Sequence, residues 1–426
     1  MHTANTQNFP RLVSFDEVRK ILQDIPLKPL GVQKVFFKNA LNRILAEDII
    51  AQNNIPPLPT AAMDGYAIFW EDREQLESQG LTLLPDNKAG NPSLPTLKSG
   101  CAIKTFTGSQ MPIDSDTLVI VEHIEEREGR IYLKSSLKTD EIKKSQWVRQ
   151  IGDNYHKGDI LLKAGSRIGA FEIGLLAELN QSFVLVRQKV RVGVLCVGDE
   201  ILEVGECSTQ NNFVRSVNTH LLEAIITQMG ADAIIYPLLN DDKDQIKHYY
   251  QQALNECDII ISTGGMSMGD YDYTQEVMQE LLEIQFKGVR LKPGKPVAFG
   301  IKHQQDSNPK LALGLPGFPN SCAVTFYLFG KILINRLQAT DEMPLILQAT
   351  LAEDVKRSDS RMEFRACDLR ITQGQIFVSF ASKKSLQSSM INNLTQNTAL
   401  AILPENGANM NAGEKIEIML LGYSKL

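Results

Sequence analysis

Four short stretches of the sequence combine glycine or proline turns with charged side chains. They are Gly198-Asp199-Glu200, the run Ser262-Thr263-Gly264-Gly265-Met266-Ser267-Met268-Gly269-Asp270-Tyr271-Asp272-Tyr273-Thr274, Lys292-Pro293-Gly294-Lys295-Pro296, and Gly314-Leu315-Pro316-Gly317-Phe318-Pro319-Asn320-Ser321. Glycines let a backbone approach a ligand closely, and helix N-termini offer unpaired N–H groups and partial positive charge to an anion. Lys292 and Lys295, separated by a stiff Pro-Gly, add two cations. Asp199, Glu200, Asp241, Asp270 and Asp272 add hard oxygen ligands. Together these groups suit a phosphate bound with Mg2+. Each stretch also has a plain structural reading. Asp272-x-x-Gln275 fits a helix capping box, Asp199-Glu200 a solvated loop, Lys292 to Lys295 an exposed turn, and Asp64-Gly65 a hairpin turn. Several such turns along one expected sheet edge favour a joint ligand site over separate ornaments.

Gly265-x-Ser267-x-Gly269 also has the spelling of a hydrolase nucleophile elbow. That triad runs serine, acid, histidine, and the one histidine after Ser267 is His303, inside the polar run Lys302-His303-Gln304-Gln305-Asp306-Ser307. An elbow serine follows its strand almost at once, whereas residues 263–266 intervene here. Ser267 therefore does not read as a nucleophile, and Asp272 stays open between a helix cap and an acid of an anion and metal site. The patterns G-x-x-x-x-G-K-[ST], G-x-G-x-x-G and H-E-x-x-H are absent from the sequence.

These turns need a scaffold, and the hydrophobic pattern supplies one. Residues 14–25 read as a short helix, with Ser14-x-x-Glu17 as its capping box. Residues 51–147 are proline-rich, with short β-prone runs at 118–121 and 130–133 around the turn Glu126-Arg127-Glu128-Gly129. A helix is expected at 170–179. From residue 190 strands and helices alternate: strands at 190–197, 231–239, 258–262, 297–301 and 310–315, helices at 219–229, 242–255, 275–283 and 321–337. Near-continuous apolar strands alternating with helices predict a doubly wound α/β sheet, whose ligand edge lies at the carboxyl ends of its strands. After residue 340 short alternating strands at 345–351, 364–371, 375–380, 399–402 and 416–420 predict a small C-terminal β-barrel.

The bulk numbers narrow the function class. A chain of 426 residues has a soft prior of about three domains. Net charge −6 argues against a dedicated nucleic-acid binder, and no apolar run reaches the ~18 residues a membrane span needs. The beginning MHTANTQNFPRL has no apolar signal core, so a cytoplasmic protein is expected. Six scattered cysteines, with no C-x-x-C pair, read as reduced thiols.

In order along the chain, Met63-Asp64-Gly65-Tyr66-Ala67, Thr107-Gly108, Gly198-Asp199-Glu200, Gly264-Gly265-x-Ser267-x-Gly269-x-x-Asp272-Tyr273-Thr274, Lys292-Pro-Gly-Lys-Pro296 and Gly314-Leu-Pro-Gly-x-Pro319 resemble the molybdopterin molybdenumtransferases (MoeA, similar to the E domain of gephyrin). The resemblance spans nearly the whole chain. It implies a discontinuous N-terminal domain (1–50 and 148–185) around a β-rich insertion (51–147), a central α/β molybdopterin-binding domain (186–338) and the C-terminal barrel (339–426). It implies molybdenum insertion: adenylyl-molybdopterin and molybdate as substrates, Mg2+ as cofactor, AMP and finished cofactor as products. By resemblance Asp64, Glu200, Asp272, Lys292 and Lys295 are catalytic, and Glu200, Asp241 and Asp272 place the metal. Thr107, Gly108, Gly198, Asp199, Gly264, Gly265, Ser267, Gly269, Pro316, Gly317, Pro319, Arg365 and Ser389 bind substrate. Arg361, Glu363 and Phe364 match the barrel's share of the cleft. A homodimer is implied, with Asp64 acting in trans, a molybdopterin adenylyltransferase as substrate donor, and molybdoenzymes or their chaperones as acceptors, without nucleic acid or membrane.

Four departures stand out: Pro59-Thr60-Ala61 where the family has Asp-Asn-Ser, Asn154 where a carboxylate is usual unless Asp153 substitutes for it, Cys196-Val197 for Ser-Thr, and Ser216 for Asp. They leave open reduced activity, an altered oxyanion preference, or a catalytically weakened paralogue acting as a molybdopterin-binding scaffold; the related adenylyltransferase, which shares the α/β domain fold but not this whole-chain architecture, is a second enzyme reading.

Overall fold

The structure is a computed structural model that describes residues 12–207, 212–265, 273–357, 359–383, 389–396 and 398–421. The chain divides into two compact units, Asp48–Lys163 and the remainder on either side of it.

In the larger unit, helix α1 (Phe15–Asp24) begins at Ser14, whose hydroxyl accepts from the Glu17 N–H while the Glu17 carboxylate accepts from the Ser14 N–H. Such a cap is worth about 1 kcal/mol. A second helix, α2 (Ala170–Glu178), follows in chain order, and the strands Val32–Phe36 and Phe183–Arg187 pair antiparallel nearby.

The central sheet contains strands β1 (Arg191–Cys196), β2 (Asp232–Ile235), β3 (Ile259–Thr263), β4 (Glu283–Lys287), β6 (Ala298–Lys302) and β7 (Lys310–Leu315); a two-residue strand, β5 (Leu291–Lys292), belongs to the barrel described below. The spatial order is β2-β1-β3-β7-β6-β4, parallel through β7 and antiparallel for β6 and β4. Successive residues of the parallel strands enter two different cores. Val192, Val194, Ile259, Ile261, Leu311 and Leu313 pack with Leu222, Ile225 and Ile226 of α3 (Val217–Gln228). Leu195, Ile260 and Ala312 pack with Ile246 and Tyr250 of α4 (Lys243–Glu256) and Val277 and Met278 of α5 (Tyr273–Leu281). Burial on both faces is why these strands read as continuous apolar runs and not as alternating ones. Helices α6 (Pro319–Thr325) and α7 (Lys331–Gln338), joined by a π-helical turn at Phe326–Gly330, cover the α3 face.

One element departs from the sequence expectation. The helix expected at 275–283 stops at Leu281, and Glu283–Lys287 is an edge strand pairing with β6. Leu281 and Leu282 continue the helical apolar stripe and mask the alternation of Glu-Ile-Gln-Phe-Lys that marks the strand.

Strands β8 (Ile346–Leu351), β9 (Met362–Thr372), β10 (Gln375–Ser379), β11 (Thr398–Leu403) and β12 (Lys415–Leu420) run in spatial order β9-β10-β8-β12-β11, and β11 pairs back onto β9, closing a five-stranded barrel. Strand β5 adds to β9 in parallel, opposing Lys292 to Glu363.

The Asp48–Lys163 unit is built on one six-stranded half-barrel sheet, with Gly65–Ile68 between Thr117–Ile120 and Cys101–Thr105. Its hairpin turns at Glu128-Gly129, both with positive φ, as the expected turn requires. All six cysteines are free. Among the described residues, no helix is long and apolar enough to cross a membrane.

Candidate functional site

Three neighbouring strands deliver three of the four turns to one place. Cys196 lies opposite Thr263, and Thr263 opposite Leu315, so β1, β3 and β7 end in register at their carboxyl edge. Gly198, Gly264 and Pro316-Gly317 follow directly. The approach is close enough to demand glycine. An alanine Cβ at Gly264, where φ is +88°, would sit 1.9 Å from the Val197 carbonyl oxygen, whereas one on Gly317 would lie 3.8 Å from Gly264 Cα, an ordinary contact that marks the two turns as neighbours. Gly265 is also constrained, though less: its φ is +59° and its Cβ would fall 2.6 Å from the Thr274 hydroxyl at the start of α5. Ser267, Gly269 and Asp272 lie outside the described residues.

Asn218, in the first turn of α3, donates through Nδ2 to the Gly317 carbonyl at 2.7 Å and ties the Pro316-Gly317 turn to the head of α3. That bond assigns the amide orientation, since the other flip would set oxygen against oxygen. Ser216 donates to the Thr219 hydroxyl, which donates to Cys196 Sγ at 3.1 Å, and Thr263 donates to the same sulfur at 3.3 Å. Burial pushes the Cys196 thiol up, against these hydrogen bonds, so it stays protonated beneath the site.

The acidic side of the edge is built by loop-to-loop bonding. Asp199 Oδ1 accepts from the Asp241 N–H at 3.0 Å, which ties the loop after β1 to the loop before α4. The Glu200 carboxylate folds back over Gly198. Glu200 and Asp241 thus stand on neighbouring loops. Among the described residues no three His, Cys, Asp or Glu side chains converge as a metal cage.

The fourth turn faces the barrel. Gly294 packs where a Cβ would lie 2.3 Å from Thr325 Cγ2 of α6, so Lys292-Pro-Gly-Lys presses on the helix that follows the third turn. Lys292 Nζ is 3.5 Å from a Glu363 carboxylate oxygen, and Arg365 forms a two-pronged pair with the same carboxylate at 2.8 and 3.0 Å. Arg361 makes a second fork with Asp359, which holds that carboxyl down to about 2, and donates to the Leu291 carbonyl. Lys295 is exposed. Asn320 at the head of α6 donates to the Met390 carbonyl, which brings Ser389 beside the Pro319 turn.

In the smaller unit, Asp64 Oδ1 accepts from both the Thr107 N–H at 2.7 Å and the Thr107 hydroxyl at 2.6 Å, and these bonds hold its carboxyl below the usual range. Gly108 follows at positive φ with open space around it. Asn154 accepts from Arg149, and Asp153 from the Gln150 N–H at 2.6 Å. The structure therefore brings Gly198, Asp199, Glu200, Asp241, Gly264, Gly265, Pro316, Gly317 and Pro319 together, joins Lys292 to Arg365, and joins Asp64 to Thr107. Asn218 and Asp359 had no place among the expected site residues, because their contribution is a tertiary contact and no local motif announces it; Asn320 lay within the quoted Gly314–Ser321 stretch, but its bond to Met390 is likewise a tertiary contact.

A doubly wound central domain with glycine turns at its carboxyl edge, a β insertion and a C-terminal barrel defines a known class of cofactor-synthesis protein. Residues 13–180 match the MoeA N-terminal region (domains I and II), and residues 193–336 match the probable molybdopterin binding domain. The molybdopterin molybdenumtransferase of Haemophilus influenzae is 30% identical over 96% of this chain and 98% of its own. The enzyme of the same name from a Nostoc species is 29% identical over 90% and 87%. A crystal structure of the molybdopterin biosynthesis MoeA protein from Pyrococcus horikoshii superposes with a TM-score of 0.78 at 26% identity, covering 96% of this chain and all of that one. The chain belongs to the MoeA family of molybdopterin molybdenumtransferases, enzymes of molybdenum cofactor biosynthesis.

Proposed function

We propose that this enzyme takes adenylyl-molybdopterin and molybdate and, with Mg2+, releases AMP and the finished molybdenum cofactor. The observation that carries the proposal is the meeting of three glycine turns at the ends of β1, β3 and β7, beside a loop whose Lys292 pairs across the barrel edge. The substrate is a polyanion and the incoming reagent an oxyanion, so the site must hold negative charge twice. The turns offer backbone N–H groups to one, and Lys292, Lys295 and Arg365 offer cations to the other.

The donor set fits Mg2+, which takes one or two carboxylates together with substrate phosphate oxygens and keeps its waters. Glu200 and Asp241, with Asp272, would hold it, and the bound ion would screen the repulsion between the two anions. Asp199 keeps the two loops in place through the Asp241 N–H. Asp64, ionised well below neutral pH because Thr107 donates twice to it, supplies a fixed carboxylate. We place it in trans within a homodimer. Support for self-association comes from exposed apolar side chains: Phe36 and Phe183 on the small N-terminal sheet, with their rings 5.8 Å apart, and Phe171 of α2, which is 91% exposed. A cytoplasmic setting, an adenylyltransferase as substrate donor and molybdoenzymes or their chaperones as acceptors complete the reading.

The test is direct: purified protein, adenylyl-molybdopterin, molybdate and Mg2+, with AMP and active cofactor followed together. AMP release that requires molybdate is the expected result. A second reading has one specific observation behind it. Asn154 stands where the family has a carboxylate, and its amide oxygen accepts from Arg149. Cofactor-precursor binding without AMP release would favour that scaffold reading, and formation of an adenylyl adduct from ATP and molybdopterin would favour an adenylyltransferase.

A further inference from the structure

Glu363 is a carboxylate at 3% exposure placed between two cations of the candidate site, and neither composition nor the turn motifs assign it a task. Its position follows from the sheet. Strand β5 adds to the barrel so that Lys292 lies directly opposite Glu363, while Arg365 is two residues along β9 and on the same face. One oxygen, Oε1, receives Arg365 Nε at 2.8 Å and stands 3.5 Å from Lys292 Nζ; the other, Oε2, receives Arg365 Nη2 at 3.0 Å. The Lys356 carbonyl lies 3.5 Å from the same Nη2, and the guanidinium carbon stands 5.4 Å from the centre of the Phe380 ring.

The consequence is a locked fork. Arginine presents five N–H donors in one plane. Glu363 and Lys356 use the Nε and Nη2 edge, Phe380 covers a face, and Nη1 makes no hydrogen bond among the described residues. A guanidinium at 8% exposure with a spent edge and an unspent Nη1 is oriented to receive an anion from one direction only. The charge count points the same way. Counted over the described side chains of this cluster, Lys292 and Arg365 against Glu363 carry one net positive charge, and the Arg361–Asp359 fork beside them is neutral.

We propose that Glu363 is a positioning residue of the oxyanion subsite: it clamps Arg365 so that Nη1 faces the incoming molybdate, and it couples the lysine loop to the barrel. This rests on the reading of Lys292 and Arg365 as the oxyanion subsite given above. It also carries a distinguishing sign. If Glu363 acted only as a nearby negative charge, its neutralisation would strengthen anion binding. If it positions Arg365, Glu363→Gln keeps the size but replaces one acceptor by an N–H donor, frees the fork and weakens binding.

The experiment measures binding of molybdate alone to the full-length protein by calorimetry, with no turnover required, for wild type, Glu363→Gln, Arg365→Lys and the double variant. The expected loss for Glu363→Gln is on the order of tenfold to a hundredfold, the range for removing an outer-shell partner of a bound ion. Arg365→Lys should lose a similar factor, and the double variant little more than either single, because the two residues act as one unit. Unchanged or tighter binding in Glu363→Gln, or losses that multiply, overturn the proposal. If wild type binds no molybdate, the subsite reading itself fails and the proposal goes with it. A measurement on the unmutated protein guards against a variant that does not fold. The Arg365 Nε–H resonance, assigned by its disappearance in Arg365→Lys, should exchange slowly with solvent, and exchange at the rate of an exposed arginine refutes the clamp.

Discussion

Replacing Gly264 with alanine tests whether the site depends on a backbone contact that no side chain reports. Two costs can be worked from the structure. The first is conformational: φ at Gly264 is +88°, a region that costs a residue with a Cβ roughly 1–2 kcal/mol. The second is steric. The new Cβ would sit 1.9 Å from the Val197 carbonyl oxygen, whereas a carbon–oxygen contact settles near about 3.3 Å, so roughly 1.4 Å of separation must be found. Both partners are backbone, and the Val197 N–H is bonded to the Thr263 carbonyl at 2.9 Å, so relief must spread the ends of β1 and β3. Overpacking of this kind adds about 1–3 kcal/mol. Gly413 is the matched control, because its φ is also +88° and nothing lies within 4 Å of its would-be Cβ. Gly413→Ala should therefore cost about 1–2 kcal/mol, and Gly264→Ala about 2–5 kcal/mol, in paired urea unfolding curves. A displacement near 1 Å at a site of this kind can cost about a hundredfold in rate, so AMP release should fall in Gly264→Ala and hold in Gly413→Ala. Equal destabilisation by the two substitutions would refute the steric argument, and full activity in Gly264→Ala would remove the turn from the site.

Asp64 and Thr107 give a pH experiment. Thr107→Val removes the hydroxyl donor and should raise the Asp64 carboxyl toward its ordinary value of about 3.9, read by carbon NMR of the labelled side chain. A folded-state value held below the unfolded one stabilises at neutral pH and is lost as pH falls through the folded value, so the variant's acid-unfolding profile should shift to higher pH; coincident profiles count against the pairing. Arg361→Met should do the same near Asp359, whose carboxyl is held to about 2 by the guanidinium. Its stabilising share is complete above about pH 4 and disappears toward pH 2, and an acid limb unmoved by the substitution speaks against it. Asp272→Ala should abolish AMP release while Ser267→Ala leaves measurable activity; equal loss from both would revive serine as a nucleophile.

Much of the scaffold was legible because it is local. The capping box at Ser14 and Glu17 forms as written, and the five central-sheet and five barrel segments expected as strands become strands. Edge strand β4 was not legible as such, since Leu281 and Leu282 extend the stripe of α5 while the strand's own alternation spans only five residues. Asp199 shows the limit for the site. Its spacing marks an acid at a strand end, but only the fold reveals that its carboxylate is committed to the Asp241 N–H and organises a loop.

The sequence by itself determined the order of strands and helices, the glycines where chains must cross closely, and the inventory of acids and lysines. These depend on side-chain periodicity and on conformational freedom within a few residues. The tertiary structure alone decided which of those residues meet. Residues 198, 264 and 317 converge because β1, β3 and β7 are neighbours in the sheet, and Lys292 meets Glu363 because a two-residue strand joins the barrel. Such pairings join positions about fifty to seventy residues apart, and they are chosen by burial of the two faces of a sheet, a property of the assembled fold that no short stretch of sequence carries.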